Sequence, residues 1–329
     1  MAHLDLAAAT VGDRVQHELL VMERAEKRTN QGDPYVILTL GNQSGRLETA
    51  PVWSNQLEWA DGALPGKVVQ AIGDITQYGR NGSAKRQLQL TGPLRILPDG
   101  QFSVEQFLPR IDRDITKLWD WIDRTRGEIQ SQPLRSVLDC FFGDDGFRAA
   151  FERTPASVNG HHAAIGGLLL HVFEVASIAR QTARTMRANV DLCVTGALLH
   201  DIGKVESYEI APSGFGHTTC GLLVGHVVLG TLMLERKLAA LDEPVCSEGQ
   251  LLELQHLILS HHGKLEYGSP VQPMTTEAEI VHRADEASAK ATDMFDAIND
   301  SEAFADDGEI SSKRVWRVGR RVWRRPHEW

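Results

Sequence analysis

Thirteen histidines stand in this 329-residue sequence, most of them between residues 161 and 282. The informative ones sit at the ends of apolar, helix-spaced text. His171 follows Gly166-Gly-Leu-Leu-Leu170, His200-Asp201 follows Thr195-Gly-Ala-Leu-Leu199, and His226 follows Gly221-Leu-Leu-Val-Gly225. His261-His262 follows Leu257-Ile-Leu-Ser260, and Asp285 lies within Ile280-Val-His-Arg-Ala-Asp-Glu286. Groups placed this way are carried towards a core, where they are costly unless paired or bound to metal. One buried histidine is ordinarily a satisfied structural residue. Several of them on five helices can converge on one pocket, and a set of nitrogen and carboxylate ligands suits Mn, Fe, Co, Ni or Zn. The His200-Asp201 pair is the centre of such an arrangement, because its carboxylate can bridge two cations while the histidine holds one.

The elements that must position these groups follow a clear change of texture. Residues 12–97 read as β-rich, with strands at His17–Arg28, Tyr35–Leu40, Arg46–Trp53, Lys67–Thr76 and Lys85–Thr91. The Gly41-Asn-Gln-Ser-Gly45 turn joins the second and third as a hairpin. Five short strands in this span predict a small closed barrel, of which the OB-fold is the common form and an SH3-like barrel the alternative. Residues 104–155 read as helical, punctuated by Pro133 and Gly143-Asp-Asp-Gly146, and helical spacing continues from Gly166 to about Met294. The expected organisation is therefore α+β and multidomain: a barrel over 12–97, a helical connector over 98–160, an all-α domain over 161–298 and a tail over 299–329. In the tail, residues 302–309 read as a solvated acidic connection. Val315, Val318 and Val322 fit one face of a terminal helix docked on the body. The same segment holds seven basic residues and no acidic one over 313–325, with Trp316 and Trp323 among them. Its alternative reading is contact with phosphates and bases.

Composition narrows the class. Hydrophobic residues are 42% and charged residues 24%, the balance of an ordinary globular chain long enough to bury a core without staples. No apolar run reaches the length of a membrane span. The opening Met1-Ala2-His3-Leu4-Asp5 lacks a basic region and argues against a Sec signal peptide. Cys140, Cys193, Cys220 and Cys246 contain no C-x-x-C and read as free thiols, which makes the cytoplasm the expected location. The net charge of −10 speaks against a general nucleic-acid coat. Residues 1–100, however, are nearly neutral, with 10 Lys/Arg against 11 Asp/Glu, so a local basic path is compatible with the total.

The ordered set His171, His200-Asp201, His226, His261-His262, Asp285, with Leu199-His-Asp-Ile-Gly-Lys204, resembles the HD superfamily of metal-dependent phosphohydrolases. Adding Pro155-Ala156, His161-His162, Ile165-Gly-Gly-Leu-Leu169, Gly225-His226 and Ser260-His-His-Gly-Lys-Leu-Glu-Tyr-Gly-Ser-Pro270 narrows the resemblance to the YhaM-type 3′→5′ exoribonucleases. That family places an OB-fold before an HD domain, and the resemblance covers about residues 12–296. Leu170 and Val172 stand where the family commonly has Glu and Thr, and Cys220 replaces an acidic residue.

The resemblance implies that His171, His200, Asp201 and Asp285 hold one metal, and that His226 and His261 hold a second with Asp201 bridging. Mn²⁺ is the first expectation, with Fe, Co, Ni, Mg or Zn as alternatives. Such cations activate water for attack at phosphorus and stabilise the leaving oxygen. Lys204 would neutralise charge on a phosphate oxygen, or else be an exposed helix lysine. His262 would donate a proton to the leaving oxygen, bind metal, or orient His261. His161 and His162 belong near the pocket without an assigned role, and His282 reads as structural or surface.

In the barrel, Tyr35, Trp53 and Tyr78 are expected to stack on bases, with Arg80, Lys85 and Arg86 along the backbone track; core packing is the bland alternative for each aromatic. The resulting expectation is a nuclease that captures single-stranded RNA, and DNA as a second substrate, and releases nucleoside 5′-monophosphates. A homo-oligomer is compatible with it. One rival is an HD phosphohydrolase acting on a small nucleotide or cyclic dinucleotide; another is a binding protein with a degenerate site.

Overall fold

A computed structural model of the chain describes residues 4–79, 85–300, 303–304 and 308–329. Two units emerge from the packing. The first comprises Met1–Pro109, Ile210–Gly216 and Asp296–Trp329, and the second Arg110–Glu209 and His217–Phe295.

The first unit is built on β1 (Arg14–Arg28), β2 (Pro34–Asn42), β3 (Gly45–Glu48), β4 (Val52–Trp53), β5 (Val68–Tyr78), β6 (Lys85–Leu90) and β7 (Arg95–Ile96). Val36, Leu38 and Leu40 alternate inward along β2, the period that makes a half-buried strand. β1 is long enough to pair β2 with one half and β5 with the other, and a bulge between Val21 and Glu23 accommodates the change of partner. The order β3-β2-β1-β5-β6 is nearly closed: Thr49 forms a parallel bridge with Leu88, and the Ala50 N–H donates to the Leu88 carbonyl at 2.9 Å. This is the expected five-stranded barrel. The predicted strand Arg46–Trp53 is split into β3 and β4, because Pro51 has no N–H to continue a ladder.

The second unit holds α1 (Ile115–Glu128), α2 (Gln132–Phe142), α3 (Asp145–Arg153), α4 (Gly167–Met186), α5 (Val190–Leu199), α6 (Lys204–Ser207), α7 (Thr219–Leu223), α8 (His226–Ala239), α9 (Glu248–Ser260) and most of α10 (Thr276–Asn299). Residues 192–199 of α5 are all buried. A helix apolar on every side must be wrapped by others, and α2, α4 and α9 surround it. α5 therefore delivers whatever follows Leu199 into the middle of the bundle. A hairpin of β8 (Tyr208–Ala211) and β9 (Gly214–His217) interrupts the otherwise helical text.

The terminal helix expected over residues 313–329 is absent. Gly319 takes a left-handed φ of +72°, and the Val315–Arg320 bridge closes a turn there. Of the three valines only Val322 is buried, so their helical spacing has no helix to serve. Of the acidic connection, residues 302 and 305–307 lie outside those described. All four cysteines are free, and no helix among the described residues is long and apolar enough to cross a membrane.

Candidate metal centre

Helix ends supply most of the site. His200 ends α5 and Asp201 begins the turn after it; His226 opens α8; His261 and His262 follow α9; His171 lies in the second turn of α4 and Asp285 within α10. Gly203 lets the His-Asp turn lie against α8, since a Cβ there would stand 2.0 Å from the His226 carbonyl oxygen and 2.4 Å from the Gly230 nitrogen. Gly263, at φ +73°, similarly leaves room for the His282 ring, which a Cβ would meet at 2.2 Å. The buried His282 donates from Nδ1 to the His261 carbonyl at 2.8 Å, so it supports the His261-His262 turn, in keeping with its structural reading.

The Asp201 carboxylate is the hub. Its Oδ2 lies 3.2 Å from His200 Nε2 and 3.4 Å from His171 Nε2. Its Oδ1 lies 3.5 Å from His226 Nε2 and 3.6 Å from His261 Nε2. Asp285 Oδ1 joins the first group, 3.1 Å from His171 Nε2 and 3.8 Å from His200 Nε2. His262 joins the second, its Nε2 3.3 Å from that of His226. Two candidate ligand groups thus flank Asp201, His171/His200/Asp285 and His226/His261/His262, with the potential ligand atoms in each within 4.8 Å of one another; a third candidate, His162/His171/Glu174, shares His171. Each group meets a different oxygen of Asp201.

Hydrogen bonds at the far ring nitrogens define which atom each imidazole presents. Nδ1 of His200, His261 and His262 lies 2.7 Å from the carbonyls of Ala197, Ile258 and Tyr267 respectively. A carbonyl only accepts, so Nδ1 is the donor in each ring and Nε2 is the atom turned to the centre. Asp201 Oδ1 and His261 Nε2 are buried with no hydrogen-bond partner among the described residues. Unpaired buried acceptors facing one another are unfavourable unless a cation sits among them. The donor set and these orphaned atoms fit divalent metal.

The electrostatics agree. Burial pushes His226 down to about 3, against the opposing pull of Asp201. Burial, then the neighbouring His262 and His200, hold His261 well below the usual histidine range. Burial works against charge on Asp201, but Lys204 and His200 outweigh it and keep the carboxyl well below the usual range. Asp285 is likewise lowered against its burial by His171 and His200. His171 is raised despite burial, through its hydrogen bonds to Asp201 and Asp285. Lys204 is buried, which removes the exposed-lysine alternative, and its Nζ pairs with Asp201 Oδ2 at 2.5 Å.

His161 and His162 do lie beside these groups. The His161 ring centroid is 5.0 Å from that of His171, and its Nε2 is another buried atom with no partner among the described residues. Burial, with help from His171 and Lys204, pushes it down to about 2. His162 Nε2 lies 2.9 Å from Glu174 Oε2. Glu174 accepts at 2.7 Å from the Ser288 hydroxyl, whose oxygen faces His171 Nδ1 at 3.0 Å. Glu174 and Ser288 were not legible as site residues. The only available signal was that Glu174 stands three residues after His171, and Ser288 three after Asp285, positions that share a helix face.

The barrel positions are divided. Tyr35 and Trp53 are cross-strand partners on β2 and β4, with ring centroids 5.2 Å apart, and Trp53 is 46% exposed instead of packed in the core. Tyr78 is 72% exposed at the end of β5, opposite the exposed Lys85 on β6. Arg86 turns elsewhere. Its guanidinium donates to the Leu6, Ala7 and Ala9 carbonyls and fastens the N-terminal segment to the barrel. Arg80 lies outside the described residues.

Comparison with known proteins matches residues 168–290 to the HD domain model. The chain is 30% identical over 289 residues to the 3′-5′ exoribonuclease YhaM of Bacillus subtilis, covering 88% of each chain. The chain belongs to the YhaM family of 3′-5′ exoribonucleases. Identity to the YhaM of Bacillus licheniformis is 31% over 293 residues, and to that of Listeria welshimeri 30% over 292, again with 88% of each chain covered. Both ligand groups fall within the HD match.

Proposed function

We propose that this chain is a metal-dependent 3′→5′ exoribonuclease that hydrolyses single-stranded RNA to nucleoside 5′-monophosphates at a two-metal centre, with single-stranded DNA as an additional candidate substrate. The carrying observation is the Asp201 carboxylate, which turns one oxygen to His171 and His200 and the other to His226 and His261. His171, His200 and Asp285 would hold one cation, His226, His261 and His262 the other, and Asp201 both. Mn²⁺ is our first choice for this nitrogen and carboxylate set. Such cations activate water and stabilise the attacking and leaving oxygens of an in-line displacement.

The protein's own groups define the rest. Nδ1 bonds to backbone carbonyls fix His200, His261 and His262 so that their Nε2 atoms converge without reorganisation. The position of His262 Nε2 beside His226 favours a ligand role for it over proton donation to the leaving oxygen. Lys204, raised in pKa by Asp201 against its own burial, remains a cation beside the carboxylate and can offset phosphate charge. In the barrel, Tyr35, Trp53 and Tyr78 offer stacking faces, and Lys85 a phosphate contact.

The test is a 5′-labelled single-stranded RNA incubated with the chain and Mn²⁺, beside its DNA counterpart and an Asp201→Asn control. A descending ladder dependent on Asp201 is expected on RNA, and the DNA lane reads the sugar preference. Metal-loaded protein that cleaves neither strand but hydrolyses a small nucleotide would replace this reading with the phosphohydrolase one.

A further inference from the structure

The C-terminal segment 308–329 presents tryptophans outward instead of packing them. Trp316 is 73% exposed, Trp323 47% and Trp329 98%. Large aromatics left in water at this density mark a contact surface and not a fold requirement. The segment is nonetheless folded. The buried Ser311 and Val322 are joined backbone to backbone at 2.9 Å, the Arg324 N–H donates to the Glu309 carbonyl at 2.7 Å, and the Arg324 guanidinium lies 4.5 Å over the Phe304 ring. Trp323 is anchored at its indole N–H by Glu309 at 3.2 Å, which leaves its ring faces available. Trp323, His327 and Trp329 follow one another with centroid separations of 6.1 and 5.6 Å.

Within this segment residues 313–325 carry charge of one sign, with Glu309 and Glu328 on either side of the run. Of the seven cations between 313 and 325, Arg317 approaches Asp296 at 3.8 Å. The guanidinium groups of Arg314 and Arg321 donate to backbone carbonyls, which orients them without neutralising them. Among the described residues, no carboxylate pairs with Lys313, Arg314, Arg320, Arg321 or Arg325. In a chain of net charge −10 this is a concentrated exception.

Exposed π-faces interleaved with uncompensated guanidinium groups fit a polymer that has anions at regular spacing and unstacked bases. We infer that residues 313–329 form a second single-stranded RNA-binding surface, separate from the aromatic positions of the barrel strands, which holds substrate by stacking and phosphate contact without reading its sequence. The inference rests on the exoribonuclease reading for the identity of the polymer. A duplex, whose bases are already stacked, offers these tryptophans nothing comparable.

The experiment compares the full chain with a Trp316→Ala/Arg320→Gln/Arg325→Gln variant, both carrying Asp201→Asn so that a labelled 30-nucleotide RNA survives titration. All three altered side chains are exposed, and far-UV circular dichroism checks the fold. The triple variant is expected to bind the RNA about 10-fold more weakly. Its log affinity against log salt should be shallower by about 1.4, at about 0.7 per lost phosphate contact on a single strand. An Arg320→Lys/Arg325→Lys variant should keep the salt slope. Unchanged affinity and slope, with an otherwise unaltered chain that degrades RNA, overturn the inference alone. A changed sedimentation coefficient at unchanged RNA affinity also overturns it and assigns the surface to a second copy. A chain with an intact tail that neither binds nor hydrolyses RNA overturns both this inference and the reading beneath it.

Discussion

Asp201 Oδ1 and His261 Nε2 face each other at 3.6 Å, both buried and neither with a hydrogen-bond partner among the described residues. Leaving one such group unpaired costs about 1–3 kcal/mol, so a fold that keeps two at one point gains if a cation joins them. The other Asp201 oxygen has its own histidines, His171 and His200. One side chain therefore couples both ligand groups.

Asp201→Asn should reduce bound metal at both groups, because the neutral amide weakens the shared oxygen ligand and its N–H can donate to an imidazole lone pair in place of a cation. RNA hydrolysis should fall by at least about 100-fold, beyond the loss typical of an outer hydrogen-bond partner. Elemental analysis of the purified protein, read beside a labelled-RNA ladder, checks both. Near-normal metal content with near-normal turnover would sink the bridging role.

Ser288→Ala and Glu174→Gln should act on the His171 group through orientation, since Ser288 lies between His171 Nδ1 and Glu174. Loss of such a partner ordinarily weakens metal binding by about 10–100-fold. Calorimetric titration of metal into the stripped variants should show one of two binding steps weakened and the other retained. Equal weakening of both steps would contradict a local effect.

Metal-free protein should lose stability as pH falls from 6.5 towards about 3. His226, pushed down to about 3, and His161, down to about 2, take up protons in the unfolded chain throughout that window but not in the folded one. His261 acts in the same sense. Stability from these groups is thus fully present above 6.5 and drains on acidification. His171 is raised and opposes them, giving stability that is lost as pH rises through its folded value. Three lowered histidines against one raised should leave a net fall in melting temperature between pH 7 and pH 4.5, at about 2–4 °C per kcal/mol for a unit of this size. Calorimetry of chelator-treated protein across that range would show it, and a flat or rising melting temperature would contradict it.

Trp53→Ala should weaken binding of a long single-stranded RNA by about 1–3 kcal/mol, the value of one stacked base. Its exposure makes loss of core packing a minor component. Fluorescence anisotropy on an Asp201→Asn background measures the affinity, and turnover of a pentanucleotide by the Asp201-intact Trp53→Ala chain should be nearly unaffected. A loss confined to turnover would place Trp53 in another role.

Much of this protein was determined locally along the chain. Apolar alternation in Tyr35–Leu40 specifies a strand that buries one face, and the Gly41–Gly45 turn defines its hairpin. The all-apolar run before His200 can only be an enclosed helix, so burial of the His-Asp pair follows from the sequence. The residues that gather around Asp201 were legible for the same reason, because most of them stand at the ends of helix-spaced apolar segments. What only tertiary structure decided is direction and partnership. Spacing does not say that the two Asp201 oxygens point to different histidine groups, that His262 Nε2 meets His226, or that Glu174 reaches His171 through Ser288. Nor could it show Arg86 turning to the N-terminal segment, or Gly319 breaking the valine pattern into a turn that leaves the tail's tryptophans in water. Those outcomes depend on contacts between residues far apart in the chain, whose energies no local pattern encodes.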